Sequence, residues 1–214
     1  MDSNLQSISR IFTEKLYRIP DYQRGYAWTE KQLKDYWSDI IQLETGKNHY
    51  VGVITLEEVS KEVYSRWDED RWIIESKSYC PYYVVDGQQR LTTTILLIQS
   101  IYEIVEQRNE KKLNFTDIND IRKKYIFDSK DDGVSRSYIF GYEKDNPSYE
   151  FLKIKIFNET SVSGYIREET IYTNNLENAK KYFSECLKQL STEEIETVYK
   201  KVSQNLLFNK QVPK

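Results

Sequence analysis

Five residues, Asp86-Gly87-Gln88-Gln89-Arg90, stand where a strand-forming run hands over to a helix-forming one, and this junction constrains the chain more than any other stretch. Tyr82-Tyr83-Val84-Val85 before it is aromatic and β-branched, the composition of a buried strand. Leu91-Thr92-Thr93-Thr94-Ile95-Leu96-Leu97-Ile98 after it continues with apolar spacing, which predicts a helix over 89–110. The first backbone N–H groups of a helix lack intrahelical partners, and the macrodipole adds partial positive charge there. Gly87 admits close backbone approach, and Arg90 carries a planar fork matched to phosphate oxygens. The junction reads either as an anion site, for phosphate, or as an ordinary strand-to-helix turn with a surface arginine.

A second cluster lies upstream. Ile19-Pro20-Asp21-Tyr22-Gln23-Arg24-Gly25-Tyr26-Ala27-Trp28 is dense in aromatics and precedes Thr29-Glu30-Lys31-Gln32, which has the form of a capping box. Leu33, Trp37, Ile40 and Ile41 mark the buried face of the helix that follows, predicted over 30–44. Tyr22, Tyr26 and Trp28 read either as a packed loop or as faces on which a nucleobase stacks. Gln23 and Arg24 have little use in a core and point to a binding role.

Composition narrows the function classes. The 214 residues can bury one large or two small domains, and 18 Tyr among 14% aromatics offset a hydrophobic content of 39%. No apolar run approaches the roughly 20 residues a bilayer span needs, and Met1-Asp2-Ser3-Asn4 lacks a secretory pattern, so a cytoplasmic protein is expected. A net charge of −3 argues against a surface built to grip duplex DNA broadly. Arg122-Lys123-Lys124 and Lys180-Lys181 are short basic runs of the kind found on solvated helix faces. Cys80 and Cys186 are isolated thiols without metal-ligand spacing. The Walker pattern is absent, and 7 Gly in the whole chain supply no glycine-rich cradle. His49 reads as a loop or surface histidine rather than a catalytic one.

The predicted organisation is α+β: a mixed sheet with helices over 1–112, then a mainly helical portion over 113–214. A short helix is expected at 8–12, and strands at 16–19 and 50–57. A hairpin is expected from 60–66 and 71–75 around Asp68-Glu69-Asp70. Beyond the boundary, helices are expected at 116–127, from Asn146-Pro147 towards 157, at 175–190, and from a Thr192 cap to 202, with a strand at 137–142. Leu206-Leu207-Phe208 reads as the start of a strand rather than an end, so the chain is expected to be cut from a longer protein.

Three segments in order carry a family likeness: Ile-Pro-x-Tyr-Gln-Arg-x-Tyr-x-Trp at Ile19–Trp28, Gly52-Val53-Ile54, and Asp-Gly-Gln-Gln-Arg-Leu-Thr-Thr at Asp86–Thr93. They resemble the N-terminal domain of GmrSD-type restriction endonucleases, similar in fold to the ParB N-terminal and sulfiredoxin-like superfamily. The resemblance covers residues 8–105, with a weaker echo at Tyr172–Phe183. It implies nucleoside-triphosphate binding and hydrolysis, coupled to restriction of modified foreign DNA in anti-phage defence. The step from phosphate site to triphosphate hydrolysis rests on this resemblance alone. The implied partners are a nuclease domain or subunit and modified DNA, and a homo-oligomer is compatible with the reading.

If the two long motifs converge, each residue has a role. Arg90, Gly87 and the N–H groups near Gln88 and Gln89 bind phosphate, and Arg24 with Gln23 closes from the opposite side. Asp86 holds Mg²⁺ or caps the helix, or does both. Gln88, ahead of Gln23, orients the attacking water. Tyr22, Tyr26 and Trp28 are the candidates for base stacking. Departures from the family pattern also count. Sulfiredoxin places a nucleophilic cysteine in its phosphate turn, and Asp86–Arg90 has none. The family's later Asn-x-Arg-Gly segment is absent, and a His-metal nuclease centre cannot be built from the chain's one histidine. The rival expectation is a non-enzymatic nucleotide- or DNA-binding switch that controls a separate nuclease.

Overall fold

The computed structural model describes residues 5–130, 133–160 and 169–213. The first half contains β1 (Leu5–Ser7), α1 (Ile8–Ile11), β2 (Lys15–Ile19), α2 (Glu30–Gln42), β3 (His49–Glu58), α3 (Lys61–Tyr64), α4 (Arg71–Lys77), β4 (Cys80–Asp86) and α5 (Gln88–Gln107). The second half adds β5 (Lys112–Leu113), β6 (Thr116–Asp117), α6 (Ile118–Tyr125), β7 (Phe127–Lys130), β8 (Ser135–Tyr138) and β9 (Phe140–Tyr142). It continues with α7 (Ser148–Phe151), which runs on as a π-helical turn over Leu152–Ile156, and α8 (Ile171–Lys188). The last elements are α9 (Thr192–Lys200), a second π-helical turn at Lys201–Asn205 and β10 (Leu206–Gln211). The fold is α+β, as expected.

One six-stranded mixed sheet, in the order β1-β10-β3-β4-β2-β9, forms the centre. β2 and β4 are parallel neighbours, with Tyr17 opposite Tyr82 and Arg18 opposite Tyr83. The segments that follow them, Pro20–Trp28 and Gly87–Arg90, therefore leave the sheet at the same end. β3 runs antiparallel to β4, with Thr55 opposite Asp86. Its first half, His49–Ile54, extends past the end of β4 towards the start of α5. The three motif segments meet because of this strand order, although they are far apart in the chain.

β10 supports the overhanging part of β3. It lies parallel to it, with Phe208 opposite Gly52 and Asn209 opposite Val53, and antiparallel to β1 on its other side. The sheet thus takes β9 and β10 from beyond the expected boundary near residue 112, alongside β1 to β4 from before it. α5 is buried around nearly its whole circumference, from Leu91 through Val105, as expected of a helix in a core. Leu176, Ala179, Phe183 and Leu187 form a stripe on α8 that faces it.

The structure corrects several local expectations. The segment 60–75 forms α3 and α4 rather than a hairpin. Ile73 and Ile74 are adjacent and both buried, which a half-exposed strand with alternating sides cannot achieve. Asp70, just before α4, is buried and bound to Arg18 at 2.5 Å and to the Ser137 hydroxyl at 2.7 Å, which fixes that helix against β2 and β8. The expected strand at 137–142 is two strands in different sheets. They break at Ile139, whose N–H donates to Ile126 and whose carbonyl accepts from Tyr17, both at 2.8 Å. α8 begins at Ile171, earlier than expected, because Thr170 and Thr173 form a capping box there. α9 is capped by Ser191 with Glu194, and Thr192 is its first residue.

Phe208 is fully buried in β10. Phe208→Ala is expected to cost roughly 3–5 kcal/mol, read from the urea midpoint at unchanged slope. A loss below about 1 kcal/mol would show that β10 is not a core strand.

Candidate functional site

Gly87 makes the turn between β4 and α5 possible. Its φ is +84°, and a Cβ there would come within 2.7 Å of both the Val53 carbonyl oxygen and Ile54 Cγ2. Only glycine tolerates that backbone angle and that proximity to β3 together. Gly87 is also the N-cap of α5, and among the described residues no side chain caps the helix, so the Gln88, Gln89 and Arg90 N–H groups stand at an open N-terminus. The N-cap role expected as one option for Asp86 falls instead to Gly87.

Gln89 holds the two long motifs together. Its Oε1 accepts from the Ala27 N–H at 2.7 Å, and its Nε2 donates to the Gly25 carbonyl at 3.1 Å. Backbone groups have fixed polarity, so both ends of the amide are assigned without ambiguity. Gln23 is used in a similar way: its Nε2 donates to the Val85 carbonyl at 3.0 Å, and its Oε1 accepts from Gln88 Nε2 at 3.1 Å. The Tyr26 hydroxyl pairs with Thr93 Oγ1 at 2.7 Å, inside the core. Five side-chain hydrogen bonds thus join residues 23–27 to the α5 end of the sheet.

These contacts leave one cleft of about 330 Å³, lined by Gln23, Arg24, Trp28, Asp86, Gly87, Gln88, Gln89 and Arg90. Arg24 and Arg90 come from different motifs and share it. Neither guanidinium pairs with a carboxylate among the described residues. Arg90 lies flat over β3, where a Cβ on Gly52, at φ +144°, would be 3.0 Å from its guanidinium carbon. That explains the glycine in the middle motif. Asp86 is exposed at the mouth, and no described residue bonds its carboxylate. Gln88 is 7% exposed, and its Oε1 has no hydrogen-bond partner among the described residues.

The three aromatic candidates separate. Trp28 lines the cleft and two hollows beside it, packed edge-on against Tyr36 at 5.9 Å. Tyr26 is fully buried, and burial raises its hydroxyl pKa well above the usual phenol range, so its ring presents no face to a base. Tyr22 is 70% exposed and does not line the cleft. His49 lies in a neighbouring hollow with its Nε2 3.5 Å from Asp39 Oδ2. Cys80 and Cys186 are free thiols. Among the described residues no group of three His, Cys, Asp or Glu is placed to hold a metal ion.

Some contributors were not identified from the sequence. Asn175 Nδ2 donates to the Tyr26 carbonyl at 3.2 Å, and a Cβ on Gly25 would lie 2.6 Å from the Tyr172 side chain, so the start of α8 braces the first motif. Asn146 Nδ2 donates to the Gln23 carbonyl at 3.4 Å while its Oδ1 accepts from Ser148 N, although the N-cap position of α7 is Pro147 rather than Asn146. Tyr172 and Asn175 lie in the weaker echo of the family pattern, which was the one signal that marked them.

A family model described as the GmrSD restriction endonuclease, N-terminal domain, matches residues 6–212. That match extends the likeness from the motif region through β9, α8 and β10. An uncharacterised protein of Methanocaldococcus jannaschii is 24% identical over 155 residues, which cover 70% of this chain and 24% of that protein. The chain thus spans about a quarter of the length of this curated relative. With all three motif segments gathered at one end of the sheet, this chain belongs to the family of GmrSD restriction endonuclease N-terminal domains.

Proposed function

We propose that the cleft binds a nucleoside triphosphate with Mg²⁺ and hydrolyses it, and that this turnover regulates a modification-dependent DNA restriction system. A nuclease domain or subunit outside this chain would cut the DNA. The observation that carries the reading is the sharing of one cleft by Arg24, Arg90 and an uncapped helix N-terminus. Two guanidinium groups without carboxylate partners, facing unpaired backbone N–H groups, suit a polyanion. Family membership supports the link to restriction.

In this reading the guanidinium of Arg90 and the N–H groups of Gln88 and Gln89 hold phosphate oxygens, and Arg24 closes on the chain from the loop side. Asp86, the one carboxylate lining the cleft among the described residues, would hold Mg²⁺ directly or through water, which fits an ion that takes one or two carboxylates and phosphate oxygens. When bound there, Mg²⁺ would supply neutralisation of the charge that develops on the phosphate oxygens. Gln88 presents its Oε1 to the nucleophilic water. Trp28 is the stacking surface left for the base. The side chains of Gln23 and Gln89 are occupied by protein groups, so Gln89 serves phosphate through its backbone.

Saturating triphosphate with Mg²⁺ should raise the melting temperature. At a hundred times Kd the gain is about 2.7 kcal/mol, or roughly 5–10 °C for a chain of this size. Arg90→Ala should lose most of that shift, and an equal shift in both proteins would remove Arg90 from the site. Phosphate release by the intact protein, measured with and without modified DNA, should fall at least tenfold in a folded Asp86→Ala variant. Undiminished release there would defeat the metal role of Asp86. Triphosphate binding without release by the wild type would favour the non-enzymatic switch.

A further inference from the structure

The Val85 carbonyl can only accept a hydrogen bond, so the Gln23 amide nitrogen facing it at 3.0 Å must donate. Gln23 Oε1 is then the atom that meets Gln88, and it can only accept, taking Gln88 Nε2–H at 3.1 Å. The direction of the relay is set by one backbone carbonyl, and it ends with Gln88 Oε1 as the unused atom. That oxygen is buried and has no partner among the described residues, on a side chain that lines the cleft with Arg24 and Arg90.

A buried acceptor left unmet is costly, so a complete site has to bring it a donor. Phosphate oxygens that face guanidinium and backbone N–H groups are acceptors themselves and cannot serve. The matching group is an O–H, and the O–H that triphosphate hydrolysis requires is that of the nucleophilic water.

We propose that Gln23 is a positioning residue. By donating to Val85 and accepting from Gln88, it fixes the Gln88 carboxamide with Oε1 as its unused acceptor, and that oxygen takes a hydrogen bond from the attacking water. This rests on the hydrolytic reading above and deepens it, and it moves Gln23 from phosphate ligand to a role one residue back. In the step itself, the water oxygen bonds to the terminal phosphorus while the bridging P–O bond breaks. The nucleoside diphosphate leaves with that bond's electron pair. The water proton passes to a phosphate oxygen and then to solvent. Gln88 orients the water and takes no proton.

The test measures kcat and triphosphate affinity separately for Gln23→Met, Gln23→Glu and Gln88→Met. ATP, GTP, CTP and UTP are each tried, and the fastest substrate of the wild type is used. Gln88→Met, which removes the acceptor, and Gln23→Met, which frees the Gln88 amide to turn, should each lower kcat about 10- to 100-fold with affinity within about twofold. Gln23→Glu still accepts from Gln88 Nε2 and should retain more turnover than Gln23→Met. A wild-type kcat in Gln23→Met, or a loss confined to affinity, overturns the positioning role. If neither Gln23 variant folds, a wild-type kcat in Gln88→Met overturns it as well. No release from any of the four triphosphates by the wild type, with or without modified DNA, removes the hydrolytic reading and this inference with it. Wild-type release with unaffected variants removes the inference alone.

Discussion

The site depends on the Gln89 carboxamide. Its two polar ends grip the Ala27 N–H and the Gly25 carbonyl, so the loop that bears Arg24 is bonded directly to the first turn of the helix that bears Arg90. A shorter or purely accepting side chain at this position would leave a backbone group of the loop unpaired. A net intramolecular hydrogen bond is worth only about 1 kcal/mol, but two made by one rigid group fix a position as well as adding stability. The adjacent pair, Gln23 with Gln88, repeats the device one residue earlier, and Tyr26 with Thr93 anchors the same loop in the core. Three polar residues of α5 thus organise the loop before any ligand arrives.

The sheet makes this possible. Because β2 and β4 are parallel neighbours, the segments after both emerge at one end, the position where α/β sheets commonly place ligands. The overhang of β3 brings Gly52 under Arg90 and the Val53 carbonyl against Gly87. β10 flanks that overhang from the other side, so a strand near the C-terminal end of the chain supports the middle motif. α8 braces the loop from outside through Tyr172 and Asn175. The cleft therefore needs parts from nearly the whole length of the described chain, in keeping with a family match that runs from residue 6 to 212.

The motif segments were legible in the sequence because they set polar and flexible residues where local pattern called for strand and helix ends. The roles of the glutamines were not. A carboxamide both donates and accepts, and nothing local says whether its partner is a ligand or a distant backbone group. Tyr26 is open in the sequence for a related reason: an aromatic with a polar tip serves core and surface equally well, and the fold buries it. Residues 60–75 resemble a hairpin in sequence because their aromatic and β-branched content favours strands. The decisive facts, the adjacent burial of Ile73 and Ile74 and the Asp70–Arg18 pair, are long-range. The start of β10 was legible, but its neighbours were not, since strand order follows from packing across the whole sheet.

If Arg24 and Arg90 act on one polyanion, their substitutions must be coupled, and a double-mutant cycle on triphosphate affinity reads that coupling. Arg24→Ala, Arg90→Ala and the double variant would be titrated with the same triphosphate and Mg²⁺ at fixed salt. Shared contact with one phosphate chain predicts a coupling energy of about 0.5–3 kcal/mol between the two substitutions. Strict additivity, or affinity that survives loss of both arginines, would contradict it.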